Sequence, residues 1–294
     1  MDYITALERA ILYIENHLGA DLRVEDAARE AGYSYYHFTR LFSVILGESV
    51  GGYIKKRRLS EAAHQLLYSD KRILDIALEV GFGSAEGFSR AFKSVYHVSP
   101  VAYRKNRLDL LIGAKPRLDF PQLGHLSENL TVHPAIVEIP DIKTAGLRGR
   151  TTLNDNILPA LWADFLTMTH RIPHKTPNGR GFGICEACPE GNTLYTMNND
   201  LPFTEIVAVE VESFDGLPAP FVQKTLKAGR YAVFTHTGSL SRLSDSFAYI
   251  WGTWFLETKE QLDEREDFEL YDERFLGADN PGSQIDLYIP ISLR

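Results

Sequence analysis

Basic side chains in the first third of the chain could bind the phosphate groups of a nucleic acid. Residues 55–58 form a continuous Lys-Lys-Arg-Arg run, a pattern about equally typical of phosphate binding and of a solvated helix face. Further on, Arg90 and Lys93 fall on the polar side of a predicted helix whose other side carries Phe88 and Phe92. Phosphate binding by these residues would require an element that presents them to a duplex.

The stretch 73–104 predicts such an element. A short apolar helix face ends at Gly81, since glycine enters a left-handed turn without steric cost. Ser84 can cap the next helix through its hydroxyl, and Pro100 ends the stretch. Two short helices joined by a tight glycine turn form a helix-turn-helix, whose second helix can enter a major groove.

The same pattern occurs a second time upstream. Gly32 precedes Gly81 by 49 residues, and each glycine is followed directly by an aromatic residue and then by a serine, which is Ser34 two residues after Gly32 and Ser84 three residues after Gly81. One copy alone would be equally typical of a helical hairpin inside an enzyme, because turn motifs have many false positives. A repeated supersecondary unit is much less frequent by chance. The residues between the copies predict one connecting helix, about 27 Å long.

Charge is distributed unevenly along the 294 residues. The net charge is −8, but residues 1–107 hold 15 Lys/Arg and 13 Asp/Glu, whereas the remainder holds 16 and 26. An acidic protein binds nucleic acid poorly in general, so DNA contacts must come from local basic faces. No apolar run is long enough for a membrane span, and the two cysteines and the absence of a secretory signal favour the cytoplasm.

Residues 1–107 resemble the DNA-binding domain of AraC/XylS-family transcription regulators. The resemblance rests on A-G-Y-S at the first turn, G-x-Y-I-x-x-R-R-L in the connecting helix, I-x-D-I-A-L-x-x-G-F, and F-K-x-x-x-x-x-S-P-x-x-Y-R. It implies double-stranded promoter DNA as a partner, with RNA polymerase as a further candidate. The DNA-binding positions that we expect are Ser34, Tyr35, Tyr36, Thr39 and Arg40 in the first copy, and Ser84, Ala85, Glu86, Arg90 and Lys93 in the second.

The two recognition helices that the resemblance implies carry unequal chemistry. Arg40 can pair with guanine O6 and N7, and Thr39 can bond a base or touch a thymine methyl group. In the second copy Ala85 offers little, and Glu86 would repel phosphates unless it accepts from a cytosine amine. We therefore expect the first helix to read bases and the second to hold the backbone.

Beyond residue 107 the pattern changes. Residues 108–127 lose periodicity and hold two prolines and two glycines, which predicts a linker. From 128 to 294 the order strand pair, helix, strand, strand occurs twice, with Gly238 standing in the second copy where Gly149 stands in the first. The fold class is therefore multidomain: an all-α domain with two helix-turn-helix units, then an α+β domain whose antiparallel sheet carries two helices on one face.

The second domain resembles the GyrI-like ligand-binding domains. The resemblance rests on A-G-x-Y-A-V-F-x-x-x-G, F-E-x-Y and I-D-L-Y-I-P-I, and the order of the two domains resembles the right-origin-binding type of regulator. It implies a pocket carboxylate at Glu269, where a lone strand Glu would otherwise face water. A carboxylate among aromatic rings suits a small cationic or amphipathic effector. The other candidate pocket residues are Tyr271, Trp162, Trp251, Trp254, Phe234 and Tyr288.

Cys185 and Cys188 form a C-x-x-C motif, a weak signal by itself. Zinc would need two further ligands, and a redox pair would be better placed at a helix N-terminus. We therefore predict no metal and no cofactor, and no catalytic residues, because the sequence contains no nucleophilic triad and no phosphate-binding loop.

Three functions remain open from the sequence. The leading one is a DNA-binding regulator that responds to an effector. The second is a small-molecule hydrolase fused to a DNA-binding domain, since the resemblance includes GyrI-like domains that use the pocket Glu with a Tyr. The third is a constitutive regulator whose acidic domain contacts other proteins.

Overall fold

The computed structural model describes residues 3–177, 179–186 and 198–292, which form two compact units. The first unit contains residues 3–132 and Ser244–Thr258, and the second contains most of the remaining described residues. Within the described residues no helix is long and apolar enough to cross a membrane.

The first unit is helical. Apolar residues recur at helical spacing, so each helix has an apolar face, and these faces pack around the connecting helix. Phe38, Phe42 and Tyr53 pack edge to face in the first copy, and Phe88 and Phe92 occupy the core of the second copy. Each such ring contributes roughly 1.5–3 kcal/mol of hydrophobic stabilisation. The helices are α1 (Tyr3–Asn16), α2 (Val24–Glu30), α3 (Tyr35–Leu46), α4 (Val50–Tyr68), α5 (Ile73–Glu79), α6 (Ala85–Tyr96), α7 (Pro100–Lys105) and α8 (Phe120–Gly124, continued by a wide turn over His125–Asn129).

Residues 108–127, for which the sequence predicts a linker, contribute to the core of the first unit. Leu110, Ile112 and Lys115 are buried there, and the Gly113 carbonyl accepts a hydrogen bond from the Tyr96 hydroxyl at 3.2 Å. These contacts are tertiary, so neither the missing periodicity nor the prolines and glycines could reveal them.

A helix from the C-terminal half also belongs to the first unit. This helix, α10 (Leu243–Tyr249), is prolonged by a wide, π-helical turn over Ile250–Trp254 and by a last α-helical turn over Phe255–Glu257. A Cβ on Gly47 would overlap the Tyr249 hydroxyl, and one on Gly252 would overlap the Ala114 carbonyl. Close approach at these two glycines brings the helix against the end of α3 and the segment after α7.

The second unit is built on an antiparallel sheet. Its path is β1-β6-β9-β8-β3-β4-β2-β5, with the short β7 paired to one end of β9. The two halves correspond, with β2, β4 and β3 of the first matching β6, β9 and β8 of the second. The bounds are β1 (Ala135–Ile139), β2 (Ile142–Thr151), α9 (Leu158–Met168), β3 (Gly181–Glu186), β4 (Phe203–Glu210), β5 (Val222–Leu226), β6 (Gly229–Thr237), β7 (Gln261–Leu262), β8 (Asp267–Tyr271) and β9 (Gln284–Ser292), with short 3₁₀ turns at Thr169–Arg171 and Leu240–Arg242.

The central strands β3 and β8 pair where the two halves meet. Gly183 lies opposite Glu269 on one side and opposite Val207 of β4 on the other. Because facing residues of paired strands share a face, these three positions point to the same side of the sheet. Helix α9 covers part of that side, with Leu161 resting on Gly149.

Candidate DNA-binding helices and effector site

The turns of the two helix-turn-helix units have the same geometry. Gly32 and Gly81 have φ of 77° and 83°, the left-handed conformation that favours glycine. Tyr33 N donates to Ala28 O at 3.0 Å, and Phe82 N donates to Ala77 O at 2.8 Å. Both turns therefore close as Schellman motifs, which fixes how α3 and α6 leave them.

The two predicted serines cap the helices that follow these turns. The Ser34 hydroxyl accepts from His37 N at 3.4 Å, and the Ser84 hydroxyl accepts from Gly87 N at 3.1 Å. Each serine is exposed at the start of a recognition helix. The two serines therefore stabilise the first turns of α3 and α6.

Helix α3 presents an exposed polar face. Tyr36 is 83% exposed, Tyr35 and Arg40 are also exposed, and Thr39 is half-buried. The Thr39 hydroxyl donates to Tyr35 O at 3.0 Å, and it would have to rotate away from this bond to donate to a base. Arg40 has no ion pair among the described residues, so its guanidinium is available to a ligand.

Helix α6 presents a smaller face. Glu86, Arg90 and Lys93 are exposed and Ala85 is half-buried. Within the part of the chain that the structure describes, neither Arg90 nor Lys93 forms an ion pair. The face thus offers two free cations beside one carboxylate.

The basic run at 55–58 has a different role from both sequence interpretations. Lys56 and Arg57 are buried, and Arg57 forms a bidentate pair with Glu15, with both N–O distances 2.8 Å. Arg58 donates to Leu18 O at 2.7 Å and to Gly81 O at 3.1 Å, which joins α1 to the turn before α6. Only Lys55 of the run is exposed. Three of the four cations are therefore engaged with partners inside the first unit.

A buried charge network joins these helices to α10. Glu48, next to the end of α3, pairs with Lys56 Nζ at 2.9 Å and with Lys115 Nζ at 2.6 Å. Lys115 also donates to Thr253 Oγ1 at 2.6 Å, and Lys56 pairs with Glu257 at 2.8 Å. Burial lowers the pKa of Lys115, and the attraction of Glu48 opposes that effect. None of these long-range partners could be identified from sequence spacing.

Acidic side chains cluster on the α9 face of the second unit. A Cβ placed on Gly183 would lie 2.9 Å from Glu205 Oε1 and 3.0 Å from Glu269 Oε2. Two carboxylates therefore meet over a strand position that has no side chain. Asp267 lies on the same face, two residues before Glu269, and Tyr271 lies two residues after it.

We call Glu205, Asp267 and Glu269 the acidic cluster. Aromatic rings border it. The Tyr271 hydroxyl donates to Glu269 Oε2 at 2.5 Å. The Trp162 ring of α9 packs against Tyr271 with centroids 5.0 Å apart. Gly181 leaves room for this contact, because a Cβ there would lie 3.3 Å from Tyr271 Cβ.

The environment of the acidic cluster disfavours ionisation. Burial, with a contribution from Asp267, raises the pKa of Glu269 to about 7, while the Tyr271 hydrogen bond opposes the rise. Burial raises the pKa of Asp267 to about 6. The pKa of Glu205 is well above its ordinary value because of burial and the nearby Glu269 and Asp267. At neutral pH the cluster therefore holds protons that a cation could displace.

The structure brings together some of the predicted pocket residues and separates others. Tyr271 contacts both Glu269 and Trp162, and Phe234 is a buried residue on the same face as Glu269. Tyr288 lies on the opposite face, where its ring stacks on Phe268 with centroids 4.5 Å apart. Alternation along β8 puts Phe268 and Glu269 on different sides, so the prediction that Tyr288 shares the Glu269 pocket is wrong for this face of the sheet.

The two remaining tryptophans belong to the other compact unit. Trp251 and Trp254 lie in the wide turn that prolongs α10, and Trp251 packs against Phe255 with centroids 6.1 Å apart. Glu205 is a member of the acidic cluster that was not predicted, although the sequence carries a signal for it. Glu205 alternates with Val207 and Val209, so it is an acidic residue on an otherwise apolar strand face.

Only one cysteine of the C-x-x-C motif lies within the described residues. Cys185 is half-buried and lies opposite Glu205 and Asp267, and Cys188 lies outside the described residues. Among the residues that the structure describes, no group of His, Cys, Asp and Glu has a metal-binding arrangement.

Comparison with known proteins identifies both halves. Residues 135–291 match the family model described as integron-associated effector binding protein, Cass2, and residues 27–106 match a helix-turn-helix domain model. The transcriptional regulator Rob of Salmonella typhimurium is 28% identical over 262 residues, which cover 86% of this chain and 85% of Rob. The right origin-binding protein of Escherichia coli K12 is 27% identical over the same lengths and shares.

A solved structure of an integron cassette protein from the mobile metagenome of Vibrio cholerae also matches. It is 18% identical, with a TM-score of 0.40, and the match covers 56% of this chain and 97% of that one. The predicted fold class and the order of the two domains are confirmed by the family matches. The chain belongs to the integron-associated effector binding family and, with its AraC-type helix-turn-helix domain, is a DNA-binding transcriptional regulator with a C-terminal GyrI-like effector-binding domain.

Proposed function

We propose that the effector is a small organic cation that binds against Glu269. The observation that carries this proposal is a carboxylate on the covered face of the sheet, bordered by the rings of Tyr271 and Trp162. A cation there gains charge attraction in a poorly solvated site and cation–π attraction from the rings. A neutral ligand of the same shape would gain only the contact area.

Calorimetry on the full chain with a matched pair of ligands tests this proposal. N-benzylbutylamine is a monocation at neutral pH, and benzyl butyl ether is its neutral counterpart. We expect the amine to bind the wild type about ten- to a hundredfold more tightly than the ether, the range of a charge-assisted hydrogen bond. Glu269→Gln should remove this preference, whereas the exposed Glu264→Gln should retain it. Equal affinity of the two ligands for the wild type would refute the proposal.

The DNA-binding residues divide between the two helices. In our proposal, Arg40, Thr39 and Tyr36 of α3 select the sequence, and Arg90 and Lys93 of α6 hold the backbone. Support comes from the exposure of Arg40 and from its lack of an ion-pair partner within the described residues. Ala85 and Glu86 offer little to a base or a phosphate, which supports the lesser role of α6 in sequence selection.

In our proposal, helix α10 carries the effector signal to the DNA-binding helices. Along the chain it lies between β6 and β7, and β8, the strand of Glu269, follows. Thr253, in the turn that prolongs it, bonds the same Lys115 that pairs with Glu48 next to the end of α3. A shift of α10 would therefore disturb the support of α3. In Lys115→Met, which removes the charge and keeps the length, the cation should no longer alter DNA affinity. Full retention of that response would contradict this route.

Binding without turnover is the outcome that we expect, because the matched relatives are transcriptional regulators. The short Tyr271–Glu269 hydrogen bond also resembles an acid–base pair, which would favour turnover. Mass spectrometry after prolonged incubation separates the two outcomes, and we expect the amine to be recovered unchanged. Contact with RNA polymerase remains a prediction, for which co-purification of the DNA-bound chain with polymerase is the direct test.

A further inference from the structure

Glu205 is the feature of the acidic cluster that a single-cation site leaves unexplained. It is only 6% exposed, and its Oε1 points over Gly183 toward Glu269. Among the described residues no group donates a hydrogen bond to its carboxylate or forms an ion pair with it. A buried carboxyl group without a partner is costly, so this position needs a counter-charge or a proton.

The surrounding strands supply no such counter-charge. The titratable side chains that share this face nearby are Asp267 and Tyr271 of β8 and Cys185 of β3, and none of them is basic. Helix α9 contributes Leu161 and Trp162, which are uncharged. The nearby Lys224 pairs with Glu186 and Glu266, whose strand positions alternate with those of the cluster and so face the other side.

The geometry also sets a spacing. Glu205 Oε1 and Glu269 Oε2 lie 2.9 Å and 3.0 Å from one common point, so they can be no further apart than these two distances together. Two cationic groups on a short flexible spacer could therefore each bond one carboxylate. A single compact cation would bring one positive charge to two carboxyl groups, so one of them would stay protonated or its charge would stay unbalanced.

We propose that this effector site prefers a dication, a ligand with two ammonium groups on a short spacer, one bound to Glu269 and the other to Glu205. The proposal rests on the function proposed above and names the ligand class of the same site. Glu205 then acts as a specificity residue, because it distinguishes doubly from singly charged ligands of equal size.

A second matched ligand tests the preference. N-benzyl-1,3-diaminopropane has the skeleton of N-benzylbutylamine with an ammonium group in place of the terminal methyl. Calorimetry on the wild type should show the diamine binding about ten- to a hundredfold more tightly than the monoamine. Equal affinities would overturn the dication proposal. A monoamine that binds no better than benzyl butyl ether would instead overturn the cation site itself, so the two failures are distinguishable.

Variants assign the preference to Glu205. Glu205→Gln should bring the diamine down to the affinity of the monoamine, with the monoamine itself unchanged. Glu269→Gln should weaken both amines. Glu212→Gln, an exposed glutamate just beyond the end of β4, should leave the preference intact. If Glu205→Gln weakens both amines equally, the residue supports the pocket rather than selecting charge.

Proton release gives a second measurement on the wild type, independent of any variant. Both carboxyl groups must be ionised to bind the diamine, but only one must be ionised for the monoamine. Calorimetry at pH 7 in buffers of different ionisation enthalpy should therefore show more protons released by the diamine, and its preference should increase between pH 6 and pH 8. Equal proton release by the two amines would contradict pairing at Glu205.

Discussion

Glu269→Gln should stabilise the ligand-free protein at alkaline pH while it removes cation binding. Burial raises the pKa of Glu269 from its ordinary 4.5 to about 7, so the folded state favours the protonated form. Below pH 4.5 the group is protonated in both folded and unfolded states and costs nothing. Above pH 7 it is ionised in both states, and the folded state bears the full cost of the buried charge.

The size of this effect follows from the pKa change. A rise from 4.5 to about 7 corresponds to an upper limit of about 3 kcal/mol. Because the side chain is partly exposed, solvent screening reduces the expected gain to about 2 kcal/mol at pH 8. The wild-type free energy of opening β8 should therefore fall between pH 5 and pH 8, and the variant should lose part of that slope.

Hydrogen exchange on peptides spanning β3 and β8 measures this local free energy without requiring the whole chain to unfold at once. Corrected for intrinsic exchange rates, the variant should be more protected than the wild type at pH 8 and equal to it near pH 4. Glu264→Gln should match the wild type at both values. A variant less protected than the wild type at pH 8 would refute the argument that the folded state disfavours the charged form of Glu269.

Three further predictions follow from the first unit and the central strand. Arg40→Ala should weaken binding to a duplex selected from random sequences by about 1–3 kcal/mol and relax discrimination at one base pair. Lys93→Ala should instead weaken binding to all duplexes alike and lower the slope of affinity against salt by about 1. Equal loss of base discrimination in both variants, measured by fluorescence anisotropy, would contradict the division between α3 and α6. Glu48→Gln should destabilise the helical unit by about 3–5 kcal/mol in urea titrations, because it leaves two buried lysines poorly paired. The control Glu79→Gln, which removes the exposed ion pair with Lys71, should cost at most about 1 kcal/mol. Similar losses of stability in the two variants would show that burial of the Glu48 network is unimportant. Gly183→Ala should push the two carboxylates apart and weaken the diamine more than the monoamine in calorimetry, and an unchanged ratio of the two affinities would contradict the shared site.

The helix-turn-helix units were predictable because their signals are local. The left-handed turns at Gly32 and Gly81 need glycine, and the serine two or three residues later caps the next helix. Both partners of each interaction lie within a few residues of one another, so a short stretch of sequence is enough to identify them. The same holds for the strands, whose alternation defines which residues share a face.

The basic run was not predictable because charge in a sequence does not identify its partner. Arg57 pairs with Glu15, 42 residues away, and Arg58 bonds carbonyl groups of two other segments. The network of Glu48 and Lys115 spans 67 residues. Such buried pairs depend on tertiary packing, which neither composition nor periodicity describes.

The acidic cluster was half predictable. Resemblance indicated Glu269, and period two placed Tyr271 on its face, as the structure has it. Predicting that Glu205 lies beside Glu269 would have required the register of β3 between β4 and β8. That register brings two carboxylates that are distant in sequence to the same glycine. The register also separates Tyr288 from Glu269, because Tyr288 lies opposite Phe268. Register is a property of the assembled sheet, so the sequence alone could not decide either point.

The most direct test of a cation-responsive regulator is the DNA affinity of the full chain with and without a cation. Fluorescence anisotropy on a selected duplex should show that N-benzylbutylamine changes the wild-type Kd by a factor of about 5 to 150, the usual range of allosteric coupling. Benzyl butyl ether should have no effect, and Glu269→Gln should bind the duplex normally without responding to the amine. An identical response in the wild type and in Glu269→Gln would contradict the account.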